Sequence, residues 1–342
     1  MASTWIRRLG TKRSGFRYVD AADRAVRDER TLARIDALRV PPAWKDVHIA
    51  ASPRSAIQAW GFDARGRKQY RYNDSAVERR ELRKYHRVRT LAKDLPRIRR
   101  ALRADARPSA RVGALDADTV AATVLRLISE TFCRVGGEKY TKENGTFGIT
   151  TLRKSHVDVS DGTARLEYTG KGSIEQRQVV HEPELVRLLQ RQLKTPGKAL
   201  FRYRRNGEWR VITARDVNEY LQARVGPYSA KDFRTWGGTL RAATVLAELG
   251  PAKSETEAKR NVALAMRLVS TELGNTPTIC RKSYVHPIVV ARYLDDGETI
   301  PLPRARRSAA NRGQAHSPEE RALIAFLDRH FPERRKAPRE NS

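Results

Sequence analysis

Near residue 74 this 342-residue chain switches from short two-residue alternation to long helical periodicity, and that switch limits its possible folds more than any other feature. Before it, residues 16–19 and 47–50 read as short strands. A modest helix capped at Asp20 or a neighbour runs between them through Leu32, Ile35 and Leu38 to the Pro41-Pro42 stop. Residues 56–60 alternate like a strand, Asp63-Ala64-Arg65-Gly66 turns, and residues 67–72 return as a second strand. After it, Ser75 and Glu78 form a capping-box pattern, and Val77, Tyr85, Val88, Ala92 and Leu95 follow at helical spacing. This helix, or a break near Pro96, is the expected join between an N-terminal module (residues 1–90) and a larger domain (residues 91–302). Pro108 marks a further loop.

The larger domain opens with a helix over 116–132, striped by Val120, Val124, Leu127, Ile128 and Thr131. Gly136-Gly137 is expected to end it, which would leave Arg134 in its last turn, favourable to the helix dipole. Residues 147–152, 156–159, 164–168 and 174–180 read as antiparallel strands, the last two joined by Thr169-Gly170-Lys171-Gly172-Ser173. Helices dominate from residue 183 onward. One is capped by Thr213 with Asp216, another follows Lys231-Asp232-Phe233-Arg234-Thr235, and a third opens at Ser254 with Glu257. That third helix closes at Gly274, the chain breaks at Pro277, and Tyr284 follows the basic pair Arg281 and Lys282. Residues 303–342 form a basic extension with an amphipathic helix over 317–331, suited either to packing or to loose contact with DNA.

Charge restricts the partner. With 68 Lys and Arg against 39 Asp and Glu, the formal charge is +29, a surplus that condenses onto polyanions and names nucleic acid first. Two cysteines, Cys133 and Cys280, make neither a disulfide framework nor a metal pattern and fit a reducing cytoplasm. The N-terminus lacks a signal-peptide core, and nowhere do eighteen apolar residues run together, so no membrane partner is expected.

In the return strand, Lys68, Tyr70 and Tyr72 share one face while Arg67, Gln69 and Arg71 share the other. Such a ribbon suits phosphate and base-edge contacts in a major groove. It equally suits a half-buried hairpin with inward tyrosines and solvated charges. Each later residue likewise has an ordinary role of its own: Arg134 as a helix-end cation, Lys171 as a turn lysine, Tyr284 as packing. The Gly-Lys-Gly turn is no phosphate-binding P-loop, because the leading glycine and strand-to-helix context are missing.

Taken in order, Arg134, Lys171 between two glycines, Arg234 in Lys-Asp-Phe-Arg-Thr, Asn275-Thr-Pro and Tyr284 nine residues on resemble the active site of type IB DNA topoisomerases. The poxvirus-like and bacterial branch is the most similar. The resemblance spans roughly residues 16–295 and takes in Gly66-Arg67-Lys68-Gln69-Tyr70-Arg71-Tyr72, Lys142-Glu143-Asn144 and Thr146-Phe147-Gly148. It implies an α+β chain: a small β-rich N-terminal DNA-binding domain, and a mainly α catalytic domain with an antiparallel sheet, of the DNA breaking-rejoining enzyme fold. The two would close as a monomeric C-shaped clamp on double-stranded DNA, in the cytoplasm at the nucleoid.

The resemblance also assigns roles. Tyr284 is the nucleophile, Arg134 and Arg234 bind the phosphate, Lys171 is the general acid, and no ATP or metal is needed. Asn275 stands where viral and eukaryotic relatives carry histidine; it keeps a donor but can hold no charge. Expected DNA contacts are Arg67, Lys68, Gln69, Tyr70, Arg71, Tyr72, Lys139 and Tyr140. A tyrosine recombinase would share the chemistry, but recombinases typically place histidine three residues before the second arginine, where this chain has Lys231. A non-catalytic nucleic-acid-binding protein would explain the charge but not the ordered set.

Overall fold

A computed structural model describes residues 5–107, 115–302 and 315–331. It divides into two compact units, residues 1–84 and 85–342. In the first, β1 (Trp5–Thr11), β2 (Gly15–Val19), α1 (Glu29–Ala37), β3 (Lys45–Ala50), β4 (Ile57–Phe62) and β5 (Lys68–Tyr72) form an antiparallel sheet of order β2-β1-β3-β4-β5 with one helix. Ile6, Ile49 and Ala59 stand opposite one another in register, so one sheet face carries them together to the buried core beneath Ile35 of α1. The cap of α1 is Asp28, which accepts from the Thr31 amide at 2.8 Å. β1 escapes the sequence pattern because its Arg7 and Arg8 interrupt the apolar alternation.

The long helix α2 (Asp74–Ala106) departs from expectation twice. Its first turn is capped by Asn73, whose side chain accepts from the Ala76 amide at 3.3 Å, not by Ser75. It also runs unbroken through Pro96. Proline has no N–H to give the carbonyl four residues back, that of Ala92. His316 Nε2 donates to that carbonyl instead, at 2.7 Å, so a residue 224 positions away satisfies the defect. The loop expected at Pro108 lies outside the described residues.

The second unit is built round α3 (Ala117–Thr131), whose residues Thr119 to Ile128 are all buried. α3 ends at Phe132, which adopts the left-handed conformation (φ 53°), so Arg134 lies beyond the helix and not in its last turn. α4 (Glu138–Asn144) follows. Residues 149–151 form a 3-10 turn where a strand was expected. The cause is hydrogen bonding: the amides of Ile149 and Thr150 donate to the carbonyls of Arg134 and Val135 (2.8 and 2.7 Å), tying this segment to the chain after α3.

β6 (Val157–Ser160), β7 (Thr163–Gly170) and β8 (Ile174–Val180) make a three-stranded antiparallel sheet. After α5 (Pro183–Leu193) comes a hairpin of β9 (Arg202–Arg205) and β10 (Glu208–Val211), then α6 (Ala214–Arg224), α7 (Ala230–Leu249), α8 (Glu255–Leu273), α9 (Pro277–Ser283), α10 (Pro287–Asp296) and α11 (Pro318–His330). The fold is thus mixed α+β with antiparallel sheets.

The basic extension contains a docked element. α11 buries Leu323, Phe326 and Leu327, each worth about 1.5–3 kcal/mol. Its buried Glu320 accepts both guanidinium prongs of Arg99 (2.7 and 3.0 Å) and lies 3.5 Å from the Trp236 indole nitrogen on α7. Of the two roles open to this helix, the structure shows packing. Residues 303–314 and 332–342 lie outside the described residues.

Candidate active site

Three close approaches, each requiring glycine, bring α3, α7, α8 and the end of α9 together. On α7, a Cβ at Gly237 would fall inside the ring of Phe132, the residue that ends α3. At the next position a Cβ on Gly238 would lie 2.7 Å from the Tyr284 carbonyl oxygen. Gly274, left-handed at φ 57°, ends α8, and a Cβ there would strike the side-chain amide of Gln176 on β8. The Gly237-Gly238 pair therefore seats the segment before Arg134 and the segment of Tyr284 on successive positions of one helix. Gly274 sets β8, and with it the β7–β8 hairpin, against the end of α8.

The two arginines share the carbonyl end of α8. Arg134 Nη1 donates to the Gly274 carbonyl at 3.0 Å, and its Nη2 donates to Asn275 Oδ1. Arg234, only 2 % exposed, donates to the Phe132 carbonyl at 2.7 Å and to the Leu273 carbonyl. Carbonyls at a helix C-terminus carry partial negative charge, so they hold guanidinium groups in place without neutralising them. Burial first, and then the neighbouring charge of Arg234, lower the Arg134 pKa from its ordinary value. Such a mutually repelling pair is a ready receptor for a phosphate with two exposed oxygens.

Tyr284 lies half-buried at the end of α9. Its ring sits under the Arg234 guanidinium, 4.8 Å from centroid to carbon, and its amide donates to the Cys280 carbonyl at 2.9 Å. The Thr239 hydroxyl on α7 donates to the Thr235 carbonyl (2.8 Å), lies 3.3 Å from the Tyr284 carbonyl and accepts from the His286 amide (3.0 Å). A second tyrosine, Tyr168, lies deeper in the same region. Burial, then Cys133, push its pKa up, which keeps its phenol protonated and unsuited to attack.

Lys171 is exposed at the tip of the β7–β8 hairpin, in a turn where Gly172 and Ser173 take positive φ (77° and 60°). One cavity of about 300 Å³ is lined by Arg134, Lys171, Arg234 and Tyr284 together. Asn275 does not line it but reaches it through Arg134; its own Nδ2 is buried and has no acceptor among the described residues. Lys231, one helical turn before Arg234, also lines the cavity; its place in the Lys-Asp-Phe-Arg-Thr run was the signal that could have marked it. Tyr140 stands at the same cavity on α4, 58 % exposed, and Lys139 is exposed beside it, 3.8 Å from Glu143.

The remaining sequence-predicted contacts all belong to the first unit. Arg67 and Gln69 both bind Asp63, at 2.7–2.9 Å; Arg67 chiefly, with backbone amides, holds that carboxyl well below the usual range, at about 2. Arg71 donates to the Arg39 carbonyl at 2.9 Å. On the opposite face Lys68 lies 3.6 Å over the Trp60 ring, and Tyr70 and Tyr72 stack at 5.9 Å, 40 % and 43 % exposed. The tyrosines thus point outward, and the Asp63 side is engaged in its own turn.

Among the described residues there is no cluster of three or more His, Cys, Asp or Glu that could hold a metal ion. Nor, among them, is any helix long and apolar enough to cross a membrane.

Residues 68–300 match the model of the eukaryotic DNA topoisomerase I catalytic core, and residues 15–63 match that of the bacterial DNA topoisomerase IB N-terminal domain. DNA topoisomerase 1B of Acanthamoeba polyphaga mimivirus is 31 % identical over 79 % of this chain and 82 % of its own length. The vaccinia virus (strain Copenhagen) DNA topoisomerase 1B is 25 % identical over 69 % and 72 %. A XerH site-specific recombinase bound to difH substrate aligns at a TM-score of 0.36 with 14 % identity, over 60 % of this chain and 53 % of that one, too loosely to bear on mechanism. The chain belongs to the type IB DNA topoisomerase family.

Proposed function

We propose that the protein relaxes supercoiled duplex DNA by cutting one strand through Tyr284, letting it rotate, and resealing it. The phenol oxygen of Tyr284 attacks the scissile phosphorus, its proton leaving to solvent. The bond from phosphorus to the 5′ oxygen breaks, and a 3′-phosphotyrosyl ester forms. The departing oxygen takes a proton from the Lys171 ammonium and leaves as a 5′ hydroxyl. Resealing reverses each transfer, one ester for another, so neither ATP nor an obligatory metal is required. Arg134 and Arg234 stabilise the charge that builds on the non-bridging oxygens, and donors of this kind are worth about 10²–10³ in rate each.

The observation that carries this proposal is the convergence of Arg134, Lys171, Arg234 and Tyr284 on one cavity, with Arg234 stacked on the Tyr284 ring. Asn275 helps hold Arg134. Lys139 and Tyr140 reach the duplex near the cleaved bond, while Lys68, Tyr70 and Tyr72, with Arg67, Gln69 and Arg71 behind them, reach it from the N-terminal sheet. The protein acts as a monomer on nucleoid DNA in the cytoplasm. Because binding neutralises many phosphates, affinity falls steeply with salt.

The test is relaxation of supercoiled plasmid in EDTA without ATP. The parent relaxes it and leaves protein linked to nicked DNA after denaturation; Tyr284→Phe does neither. A parent that leaves plasmid supercoiled, or a Tyr284→Phe variant that still relaxes it, defeats the proposal.

A further inference from the structure

The cavity holds Arg134, Lys171, Arg234 and Lys231 close together with no carboxylate among its lining residues. Before a phosphate arrives these cations repel one another, so something outside the cavity must keep Arg234 and Tyr284 in register. Two residues of α2 make hydrogen bonds suited to that task. Arg87 donates Nε and Nη2 to the two oxygens of Asp232, at 3.0 and 2.9 Å. Asp232, 1 % exposed, lies on the first turn of α7, two residues before Arg234, and also accepts from the Ser229 amide and hydroxyl at 2.8 Å each. Two residues earlier on α2, Tyr85 donates its hydroxyl to the carbonyl of buried Val285 at 3.0 Å, next to the nucleophile.

Residues two apart on a helix project about 200° apart, since each step turns about 100°. Tyr85 and Arg87 therefore point to different sides of α2, one toward the Tyr284–Val285 segment and one toward α7. The third side is closed by α7 itself, through Thr239 to His286 and Gly238 to Tyr284. Three elements joined by three edges form a triangle, in which no pair can slide without breaking a bond at the third. With any one edge missing, the other two act as a hinge.

We propose that Tyr85 and Arg87 are positioning residues for strand transfer: they fix the distance between the phosphate-binding Arg234 and the attacking oxygen of Tyr284. Neither touches the cavity, and neither is among the residues to which the family resemblance gives a role. The proposal rests on the assignment of Tyr284 and Arg234 made above.

The experiment measures the rate at which excess full-length protein becomes covalently linked to supercoiled plasmid, together with the dissociation constant for a short duplex. If the parent makes no adduct, the assignment of Tyr284 has failed and not the triangle. Given an active parent, Arg87→Gln slows adduct formation by about 10–100-fold, as expected for a reacting pair displaced by about an ångström. Duplex affinity stays within about twofold, since Arg87 does not line the cavity. Arg87→Lys, which keeps the charge but loses the two-pronged geometry, recovers part of the rate.

Two further backgrounds separate positioning from general stability. In Arg134→Lys the Arg87→Gln substitution costs its full factor, whereas in Arg234→Lys, where the group being positioned is already compromised, its effect shrinks to about threefold or less. Equal losses in both backgrounds, a parent-like rate in Arg87→Gln, or a loss confined to DNA affinity would each overturn the proposal. Should Arg87→Gln fail to fold, Tyr85→Phe removes one hydroxyl alone. It is expected to slow adduct formation by about fivefold with unchanged affinity, one hydrogen bond's worth, and a parent-like rate there would overturn the proposal equally.

Discussion

On one side of the cavity Arg234 is 2 % exposed, donates to two carbonyls and lies on the Tyr284 ring, in a wall packed so closely that Gly237 and Gly238 admit no side chain. On the other, Lys171 stands exposed at the tip of a three-residue turn flanked by glycine. The difference suits the roles proposed for each. Attack needs the nucleophile and the phosphate ligand in fixed register. Proton delivery needs a donor that can enter and leave as the strand departs, rotates and returns. A donor fixed in the wall would obstruct that passage, while a nucleophile on a hairpin tip would rarely be aligned.

The largest expected effect tests the tip. Lys171→Ala should slow cleavage by about 10²–10⁴-fold, the usual range for a lost general acid, with duplex affinity little changed. A substrate whose scissile 5′ oxygen is replaced by sulfur, a leaving group that needs no proton, should restore most of the rate to this variant. If it restores nothing, Lys171 acts otherwise than as an acid. Arg234→Ala comes next, at about 10²–10³-fold, and sulfur substitution should not rescue it, because the charge on the non-bridging oxygens remains. Rescue of both variants by sulfur would erase the distinction between wall and tip.

Gly237→Ala probes the wall without touching a charged group. Its methyl would enter the ring of Phe132, so the expected cost is about 1–3 kcal/mol of stability, read as a lower thermal midpoint, with a loss of cleavage rate larger than that at Gly172→Ala on the tip. Gly172 has open space round its Cβ position and only its positive φ to resist substitution. Equal loss of activity at both would mean that the wall tolerates displacement.

These two regions also differed in how far the sequence could be read. The capping signals of α6 and α8, the stop at Gly274 and the Gly-Lys-Gly hairpin are local, and each stood where its residues indicated. What was missed depends on distant partners. Nothing in a phenylalanine announces the left-handed end of α3, where the Phe132 ring fills the space that Gly237, far along the chain, leaves open. Likewise Pro96 reads as a break until His316 supplies the missing hydrogen bond. The β9–β10 hairpin was legible and overlooked: Asn206-Gly207, both at positive φ, is the preferred pair for a two-residue turn, hidden here among arginines.

The smallest expected effect falls on Asn275, where wall and cavity meet. Its amide donates to the Ser270 carbonyl at 2.9 Å, which fixes the backbone, while Oδ1 accepts from Arg134 and Nδ2 has no acceptor among the described residues. A neutral histidine can reproduce both halves, one ring nitrogen accepting from Arg134 and the other carrying a proton in place of Nδ2. Asn275→His should therefore cleave within about threefold of the parent near pH 8, where most histidine of ordinary pKa is neutral. Asn275→Ala, which leaves Arg134 short of one partner, should lose about tenfold, the worth of one hydrogen bond to a charged group. As the pH falls below about 6.5 the histidine gains a proton and can no longer accept from Arg134, so the variant should depart from the parent only on the acid side. Parallel pH profiles for parent and Asn275→His would show that the bond to Arg134 does not set the geometry of the first arginine.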